Sequence, residues 1–315
     1  MNEKRLFLAA DSGGSKTVWI LLNEFGDVLS KIQTIGMGAA SDGALPVEQT
    51  VSEAHSKIST PQDPCSVFLS LGGANTAEVK AALERLWPNT KVSVEREASG
   101  DAILYAAKYM NCDAVVMCGT GSVAVGNTSS GRKYRGGWGP IYGDGGSGGG
   151  MGADALRTFL HSIDTGDDIG EIATLFQNLT VGLNAEAFAD RMKIKSRALN
   201  MTRRELASLA PKIYALAERC DKTALELYDN AAHAITELAL GVSENSEDFN
   251  VLLCGGFFSN KPMLLDACRK YCSLKSRAIL KYDPRFSPSI AAQVAALNRG
   301  GIEITPELFE KLLNN

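Results

Sequence analysis

Two short segments rich in glycine and hydroxyl residues are the best candidates in this chain for binding an anion. One is Gly119–Ser122, with the sequence GTGS, between the apolar runs 115–118 and 123–126. The other is residues 11–17, with the sequence DSGGSKT. Glycines let backbone N–H groups approach a phosphate closely, and the hydroxyls add donors. Taken alone, each segment also fits an ordinary hairpin turn.

Asp11 adds a carboxylate to the first of these turns. It ends the apolar run 6–10 and is followed, after the turn, by the apolar run 18–22. A carboxylate at the end of a buried strand can hold a hydrated Mg²⁺ while nearby N–H and hydroxyl groups bind phosphates. An Asp-Gly turn with a satisfied carboxylate is the alternative. A P-loop is excluded, because its spacing is absent and a strand follows the turn.

The elements that position these turns are predicted from the apolar pattern. Each turn joins two strands, and two such hairpins about a hundred residues apart indicate two similar halves that face one cleft. Further strands are predicted at 28–35, 66–71, 91–94, 249–254 and 278–282, and helices at 47–58, 76–86, 98–109, 289–298 and from 221 onward. Gly72 and Gly73 follow a buried strand, at the sheet edge where open α/β folds bind ligands.

Four motifs in sequence resemble one known family. They are DSGGSKT at 11–17, GTGSVAVG at 119–126, GGWGPIYGD at 136–144 and LLCGG at 252–256. Their order and spacing are similar to those of the N-acetylglucosamine kinase group within the BadF/BadG-type ATPases, in the actin, hexokinase and Hsp70 superfamily. The match covers nearly the whole chain.

The resemblance implies an α/β fold of two ribonuclease-H-like (actin-like ATPase) domains around a central cleft, the second with helical insertions. The first domain would span residues 1–110 and be completed by 289–315, and the second would span 111–288. ATP and Mg²⁺ are the implied cofactors, and a small-molecule sugar is the implied substrate. The resemblance also implies a homodimer.

The same resemblance assigns roles to particular residues. Asp11 would hold the metal through water, and Glu97 would accept the proton of the attacking sugar hydroxyl. The implied nucleotide-binding residues are Gly13, Gly14, Ser15, Lys16, Thr17, Gly119, Thr120, Gly121, Ser122, Gly255, Gly256 and Ser259. The implied substrate-binding residues are Gly137, Trp138, Gly139, Asp144, Gly72 and Gly73.

Three residues depart from the family pattern on the sugar side. Ala40 stands where an asparagine bonds the sugar, Gly145 where a second acid is usual, and Glu97 where an aspartate is the base. The extra methylene of glutamate moves the carboxylate by about 1.5 Å, and a shift of that size can weaken catalysis on the order of a hundredfold. Asp101 is an alternative base, four residues further along the predicted helix. The departures fit either a kinase for a different acceptor or a nucleotide- or sugar-binding protein with degraded catalysis.

Two other enzyme classes share single features with the chain. Residues 145–149 match the G-x-S-x-G pattern of hydrolases, which requires a preceding strand and a later acid and histidine. A dehydratase-activator ATPase shares the implied fold but bridges an iron–sulfur cluster across a dimer, and Cys112 and Cys118 are candidate ligands by position alone.

Length and composition limit the remaining classes. The 315 residues can form two domains, and 45% hydrophobic with 22% charged residues is ordinary for a globular protein. A net charge of −4 without a basic block disfavours nucleic acid as a partner. No apolar run is long enough for a membrane span or a signal peptide, so we expect a cytoplasmic protein. The seven cysteines, with no C-x-x-C pair, are expected to be free thiols.

Overall fold

The computed structural model describes residues 5–13, 16–37, 47–58, 60, 62–72 and 75–315, apart from the side chain of Ala98. These residues form ten strands in two sheets, together with eleven α-helices. No helix in this part of the chain is long and apolar enough to cross a membrane.

The first sheet has the strand order β3-β2-β1-β4-β5. Its strands are β1 (Leu6–Ser12), β2 (Lys16–Asn23), β3 (Val28–Ile35), β4 (Ser66–Leu71) and β5 (Lys91–Arg96). The first three are antiparallel neighbours, whereas β1, β4 and β5 are parallel. The carboxyl ends of β1, β4 and β5 therefore meet at one edge of the sheet.

The second sheet repeats this arrangement, with the order β8-β7-β6-β9-β10. Its strands are β6 (Ala114–Cys118), β7 (Ser122–Thr128), β8 (Gly131–Gly136), β9 (Asn250–Cys254) and β10 (Ile279–Tyr282). The meander β6-β7-β8 is antiparallel, and β9 and β10 run parallel to β6. The prediction of two similar halves, each starting with a hairpin, is confirmed.

The helices fall into groups that follow the sheets. They are α1 (Val47–Lys57), α2 (Thr76–Leu86), α3 (Asp101–Ala107), α4 (Gly148–Thr165), α5 (Gln177–Thr180), α6 (Phe188–Leu199), α7 (Arg203–Glu218), α8 (Lys222–Val242), α9 (Pro262–Lys275), α10 (Pro288–Arg299) and α11 (Pro306–Leu313). Helices α4 to α8 form an insertion between β8 and β9, where the sequence predicted a mainly helical region.

Side chains alternate between the two faces of each sheet, and this places three cores. Leu8 and Trp19 of the first sheet pack outward against α1 and α2. Phe7 and Ala9 face inward, in a core shared with α3, α10 and the inner face of the second sheet. Val116, on the outer face of the second sheet, packs into the third core against the helical insertion. Helices α3 and α10 thus lie in the layer between the sheets, and α10 returns the chain to β1 and β4.

Apolar residues that recur three and four positions apart from Ala224 to Val242 predict one buried face of α8. The structure confirms this face except at Leu225, which is 37% exposed, and Leu238, which is partly buried. The buried residues of this helix are Ala224, Leu227, Tyr228, Ala231, Ala232, Ile235, Thr236, Ala239 and Val242. This buried stripe packs the helix against the second sheet, and the Asp221 side chain caps its start by accepting the N–H of Ala224 at 2.9 Å.

The sequence predicts Thr76 as the cap of one helix and Thr202, with Glu205, as the capping box of another, and the two predictions have different outcomes. The pair Thr202 and Glu205 forms the predicted capping box at the start of α7. At α2, however, the cap is Asn75 rather than the predicted Thr76, because the Asn75 side chain accepts the N–H of Ala77 at 3.1 Å. Asparagine is a better cap than threonine, and the helix starts one residue later than its cap.

Candidate active site

Asp11 lies at the carboxyl end of β1, where the first glycine turn begins. In the sheet it is opposite Val18 of β2 and Ser70 of β4. The N–H of Gly13 donates to the carbonyl of Lys16 at 3.0 Å and closes the turn. The short hairpin thus holds the carboxylate at the edge where the parallel strands end.

The environment of Asp11 favours its neutral form. Burial, followed by the negative charge of Glu97, raises the pKa of Asp11 from 3.8 to about 7, while Lys16 opposes the shift. Two carboxylates therefore lie close enough to repel each other at this edge. A bound cation would relieve that repulsion.

Glu97 follows β5 in a single 3₁₀ turn, residues 97–99, and not in the predicted helix over 98–109. Gly100, with φ of 73°, ends this turn, and α3 begins only at Asp101. Gly72 makes room for the Glu97 carboxylate, because a Cβ at position 72 would lie 3.1 Å from its Oε2 and 3.3 Å from the carbonyl of Ser12. The Glu97 carboxylate therefore reaches back across β4 towards β1.

Asp101, the alternative base, lies apart from this pair. The backbone change at Gly100 separates it from Glu97, so the two residues do not share a helix face. Its carboxylate is 61% exposed and forms an ion pair with Arg132 of β8. The ion pair therefore holds the Asp101 carboxylate at the surface, and not at the sheet edge that carries Asp11 and Glu97.

Glu95, which the sequence analysis did not single out, fixes the strand that carries Glu97. One of its oxygens accepts the N–H of Ala102 at 2.9 Å and the other pairs with Arg299 of α10 at 2.9 Å. The Arg299 guanidinium also lies 4.5 Å from the centre of the Phe68 ring. These contacts join the end of β5 to α3, α10 and β4.

Backbone hydrogen bonds from the start of α4 hold the second glycine turn in place. The N–H of Gly119 donates to the carbonyl of Gly121 at 2.9 Å within the turn. Gly148 and Gly149 of α4 donate to the carbonyls of Gly119 and Thr120 at 2.8 and 3.0 Å. The first N–H groups of α4 are therefore used to hold the turn.

Arg203 is a charged residue at this turn that sequence reasoning missed. Its Nη2 pairs with Oδ2 of Asp144 at 2.5 Å, and Oδ1 of Asp144 accepts the N–H of Ser122 at 3.2 Å. Because Asp144 is only 3% exposed and both oxygens are engaged, the prediction that it binds sugar hydroxyls is not supported by its position. Asp144 is part of the Gly119–Ser122 turn. The signal available in the sequence was an arginine at the start of a helix, where a positive charge is unfavourable.

The two halves meet beside Glu97, where a small crevice is lined by Ser70 of the first half and Met117 of the second. Burial raises the pKa of Cys254, at the end of β9, and the charges of Glu97 and Asp11 raise it further. The positive charge of Arg203 acts in the opposite sense on Glu97, whose pKa burial raises. The carboxylates of the first half therefore lie within electrostatic reach of groups of the second half.

Thr17 does not present its hydroxyl at the first turn. The residue is fully buried in β2, and its Oγ1 lies 2.8 Å from Oγ of Ser12 and donates to the carbonyl of Ile35 at 3.1 Å. The prediction that Thr17 contacts phosphate is therefore not supported, because both hydrogen-bonding directions are used inside the sheet. Four other predicted positions, Gly14, Ser15, Ala40 and Gly73, lie outside the described residues.

The segment with the predicted sugar-binding residues extends from the second sheet into solvent. Gly137 donates its N–H to the carbonyl of Ser122 at 2.9 Å, which ties the segment to the second turn. Beyond it, Trp138 is 77% exposed, and Ile141 and Tyr142 are exposed too. Gly137 and Gly139 both have positive φ, 72° and 83°, so the chain turns sharply on each side of the tryptophan. An exposed aromatic ring beside the second turn is available to a ligand.

The predicted adenosine segment follows β9 directly. Gly255 has φ of 107°, and a Cβ there would overlap the carbonyl of Cys118, so only glycine fits. Gly256 has open space around it, and Ser259 is exposed. A groove of about 560 Å³ lies between α8 and the start of α9, the helix that follows this segment.

The donor set fits a magnesium ion that is bound mainly by phosphate and water. Among the described residues there is no group of three or more histidine, cysteine, aspartate or glutamate side chains placed to hold a metal. Mg²⁺ usually keeps several waters and takes one or two carboxylates plus substrate phosphates. Asp11, at the mouth of the first turn, is the residue that would hold it.

The hydrolase and iron–sulfur alternatives do not agree with the geometry. Ser147, the candidate nucleophile, is fully buried, caps α4 and donates to the carbonyl of Asp144 at 2.7 Å. Cys112 and Cys118 are buried in the cores, and burial raises the pKa of Cys112 to about 11. Neither thiol can supply a thiolate at a surface.

Two matching α/β halves around a crevice with glycine turns define the two-domain actin-like ATPase fold. A solved structure from Chromobacterium violaceum, described as a candidate N-acetylglucosamine kinase, has this fold, with a TM-score of 0.67, 20% identity and coverage of 92% of this chain and 98% of that one. The chain itself belongs to the BadF/BadG/BcrA/BcrD ATPase family, whose model matches residues 10–296.

Two curated relatives are similar over nearly their whole length. N-acetyl-D-glucosamine kinase of Dictyostelium discoideum is 25% identical over 328 residues, which cover 94% of this chain and 98% of the relative. N-acetylmuramic acid/N-acetylglucosamine kinase of Clostridium acetobutylicum is 25% identical over 304 residues, which cover 91% and 97%. Both names describe kinases that act on N-acetylglucosamine.

Proposed function

We propose that this protein is an ATP-dependent kinase that phosphorylates a hydroxyl of an amino sugar or a related hexose. The observation that carries the proposal is the proximity of two carboxylates, Asp11 and Glu97, at the sheet edge where the first glycine turn begins. Family membership supports ATP as the phosphoryl donor. The two relatives named as N-acetylglucosamine kinases support an amino sugar as the acceptor.

In this proposal different segments around the crevice bind the phosphates, the nucleoside, the sugar and the magnesium ion. The N–H groups of Thr120 and Gly121 bind the phosphates, because those of Gly119 and Ser122 are engaged within the protein. The Gly13–Lys16 turn lies beside the phosphates, and the Gly255–Ser259 segment lies along the nucleoside. The exposed ring of Trp138 packs on the sugar. Asp11 holds Mg²⁺, which when bound supplies positive charge against the phosphates.

Glu97 is the proposed general base. The oxygen of the sugar hydroxyl attacks the terminal phosphorus, the bond from that phosphorus to the bridging oxygen breaks, and ADP leaves while the hydroxyl proton moves to Glu97. Burial raises the pKa of Glu97, which brings a carboxylate closer to the range useful for a base near neutral pH. Phosphoryl transfer depends chiefly on positioning and charge, so glutamate can replace aspartate if its carboxylate is well placed.

The test is an acceptor screen on the purified protein. MgATP is incubated with a panel of amino sugars, hexoses and muramic acid derivatives, ADP formation is followed, and products are identified by mass spectrometry. Acceptor-dependent ADP formation with a singly phosphorylated sugar supports the kinase. ATP that binds without turnover of any acceptor contradicts it and favours the alternative, a binding protein with degraded catalysis.

Three further proposals rest on the resemblance. They are that the halves behave as domains with boundaries near residues 110 and 288, that two chains form a homodimer, and that the protein acts in the cytoplasm. Light scattering after gel filtration measures the mass in solution, and a mass of one chain contradicts the homodimer.

A further inference from the structure

Arg203 is the first residue of α7, where local structure gives no reason for a positive charge. The amino end of a helix carries a partial positive charge, so an arginine there is electrostatically unfavourable. The capping box of Thr202 and Glu205 already satisfies the free N–H groups at this end. The reason for the arginine must therefore lie in what its side chain reaches.

The Arg203 side chain lies along the second glycine turn. A Cβ at Gly121 would overlap its guanidinium, and a Cβ at Gly149 would lie 3.5 Å from its Cγ. Asp144 fixes its orientation through the 2.5 Å ion pair, and Asp144 is itself held by the N–H of Ser122. Turn, carboxylate and guanidinium thus form one rigid unit.

The guanidinium keeps hydrogen-bonding capacity that the described residues do not use. Its Nε is buried and has no hydrogen-bond partner among them. A guanidinium has five N–H donors in a planar fork, and this fork matches the spacing of phosphate oxygens. The side chain is 28% exposed, so part of it remains open to the crevice.

The position of Arg203 relative to Glu97 indicates which phosphate it can reach. Glu97 belongs to the first half and Arg203 to the second, and the positive charge of Arg203 lowers the pKa of Glu97 against the effect of burial. A group bound between the Glu97 carboxylate and the second turn would contact Arg203, because its guanidinium lies against Gly121 of that turn. In the kinase proposed above, that group is the phosphoryl group in transfer.

We infer that Arg203 binds the terminal phosphate of the nucleotide during transfer and that Asp144 positions its guanidinium. This inference rests on the proposed function. As the bond to the bridging oxygen breaks, negative charge spreads over the oxygens of the transferred group. Arg203 offers a fixed positive charge and free N–H donors at that point, without a movement of the protein during the step.

The test compares Arg203→Met with Arg204→Met. Arg204 is the adjacent arginine of the same helix turn and is exposed, so its variant controls for the loss of one charge. We expect Arg203→Met to lower kcat at least about 100-fold, since arginines that contact the transferred phosphoryl contribute 10³–10⁵ in kcat. It should weaken ATP binding roughly tenfold, as expected for a lost charged hydrogen bond, and leave ADP binding unchanged. Arg204→Met should change none of these quantities.

Two additional variants separate phosphate binding from support of the turn. Arg203→Lys keeps the charge but loses the fork, and should recover only part of kcat. The double variant Arg203→Met/Asp144→Asn removes the unpaired buried carboxylate along with the arginine. If Arg203 acts on phosphate, the double variant regains thermal stability but not kcat, nor the preference for ATP over ADP.

The outcomes distinguish this inference from the proposed function. If the wild type phosphorylates a sugar and Arg203→Met is equally active, or if the double variant restores kcat, the inference is wrong and the kinase stands. If the wild type phosphorylates no acceptor but Arg203→Met loses ATP affinity while keeping ADP affinity, the phosphate contact stands and the kinase is wrong. Equal loss of ATP and ADP affinity, or no nucleotide binding by the wild type, overturns the inference.

Discussion

Replacing Asp11 with Asn should stabilise the nucleotide-free protein at pH 8 and have little effect at pH 4. Burial and the charge of Glu97 raise the pKa of Asp11 from 3.8 to about 7 in the folded protein. Since the folded state holds this proton more tightly than the unfolded state, ionisation of Asp11 destabilises the fold as the pH rises from about 4 to above 7. Asparagine has nearly the same shape and cannot ionise.

The size of the effect follows from the two pKa values. The difference between 3.8 and about 7 corresponds to about 4 kcal/mol of unfolding free energy, at about 1.4 kcal/mol per pKa unit. This value is the upper bound, because Glu97 and Lys16 readjust when the Asp11 charge is removed. We expect Asp11→Asn to gain roughly 1–4 kcal/mol at pH 8.

Urea unfolding without nucleotide or magnesium, followed by tryptophan fluorescence at pH 4, 6 and 8, measures this gain. Trp19 and Trp87 are buried in the core of the first half and report on the region around Asp11. The control is Asp101→Asn. The exposed ion pair of Asp101 should contribute at most about 1 kcal/mol to the unfolding free energy, so this variant should not gain stability over the wild type at pH 8. A variant that is less stable than the wild type at pH 8, or a gain independent of pH, would refute the reasoning. Loss of MgATP turnover together with higher stability would mark Asp11 as a functional residue.

Three further predictions concern the other parts of the crevice. Glu97→Gln should lower kcat about 10²- to 10⁴-fold, the usual contribution of a general base, while its ATP affinity stays within a few-fold of the wild type. Steady-state kinetics measures kcat and titration calorimetry measures the ATP affinity. An unchanged kcat would show that Glu97 is not the base. Gly255→Ala should lower the melting temperature and weaken ATP binding, because the φ of Gly255 is 107° and a Cβ there would overlap the Cys118 carbonyl. The control Gly256→Ala should do neither, because Gly256 has open space around it. Equal melting temperatures of the two variants in thermal unfolding would contradict this prediction. Trp138→Ala should raise KM for the sugar roughly tenfold, as expected for a lost ring contact. The melting temperature should not change, because the side chain is 77% exposed. An unchanged KM would show that the sugar does not bind at Trp138.

The sequence predicted the strands and the two hairpins because their signals are local. Apolar runs of five to seven residues between turn residues specify strands wherever they occur, and 28–35 and 66–71 match β3 and β4 residue for residue. Thr202 and Glu205 specify a helix start through contacts three residues apart. The order of the four glycine motifs was enough to indicate the family.

The helix predicted over 98–109 was wrong at its beginning for a reason that lies outside the segment. Gly100 turns with φ of 73°, where a Cβ would overlap Val125 of β7. The approach of the second sheet thus breaks the helix, and Glu97 remains in its own 3₁₀ turn next to Gly72. The tertiary contact decided which of the two acids, Glu97 or Asp101, faces Asp11.

By itself, the sequence determined the two sheets, the glycine turns and the acid that ends β1, because periodicity and turn chemistry act between neighbours in the chain. Only the tertiary structure decided where the side chains of Thr17, Asp144 and Arg203 lie. Thr17 belongs to a segment typical of a phosphate-binding turn, but its hydroxyl is hydrogen-bonded inside the sheet. Arg203 forms an ion pair with Asp144, which lies 59 positions earlier in the sequence. The direction of such a side chain is set by contacts with elements that are distant in the sequence. The spacing of residues along the chain does not predict those contacts.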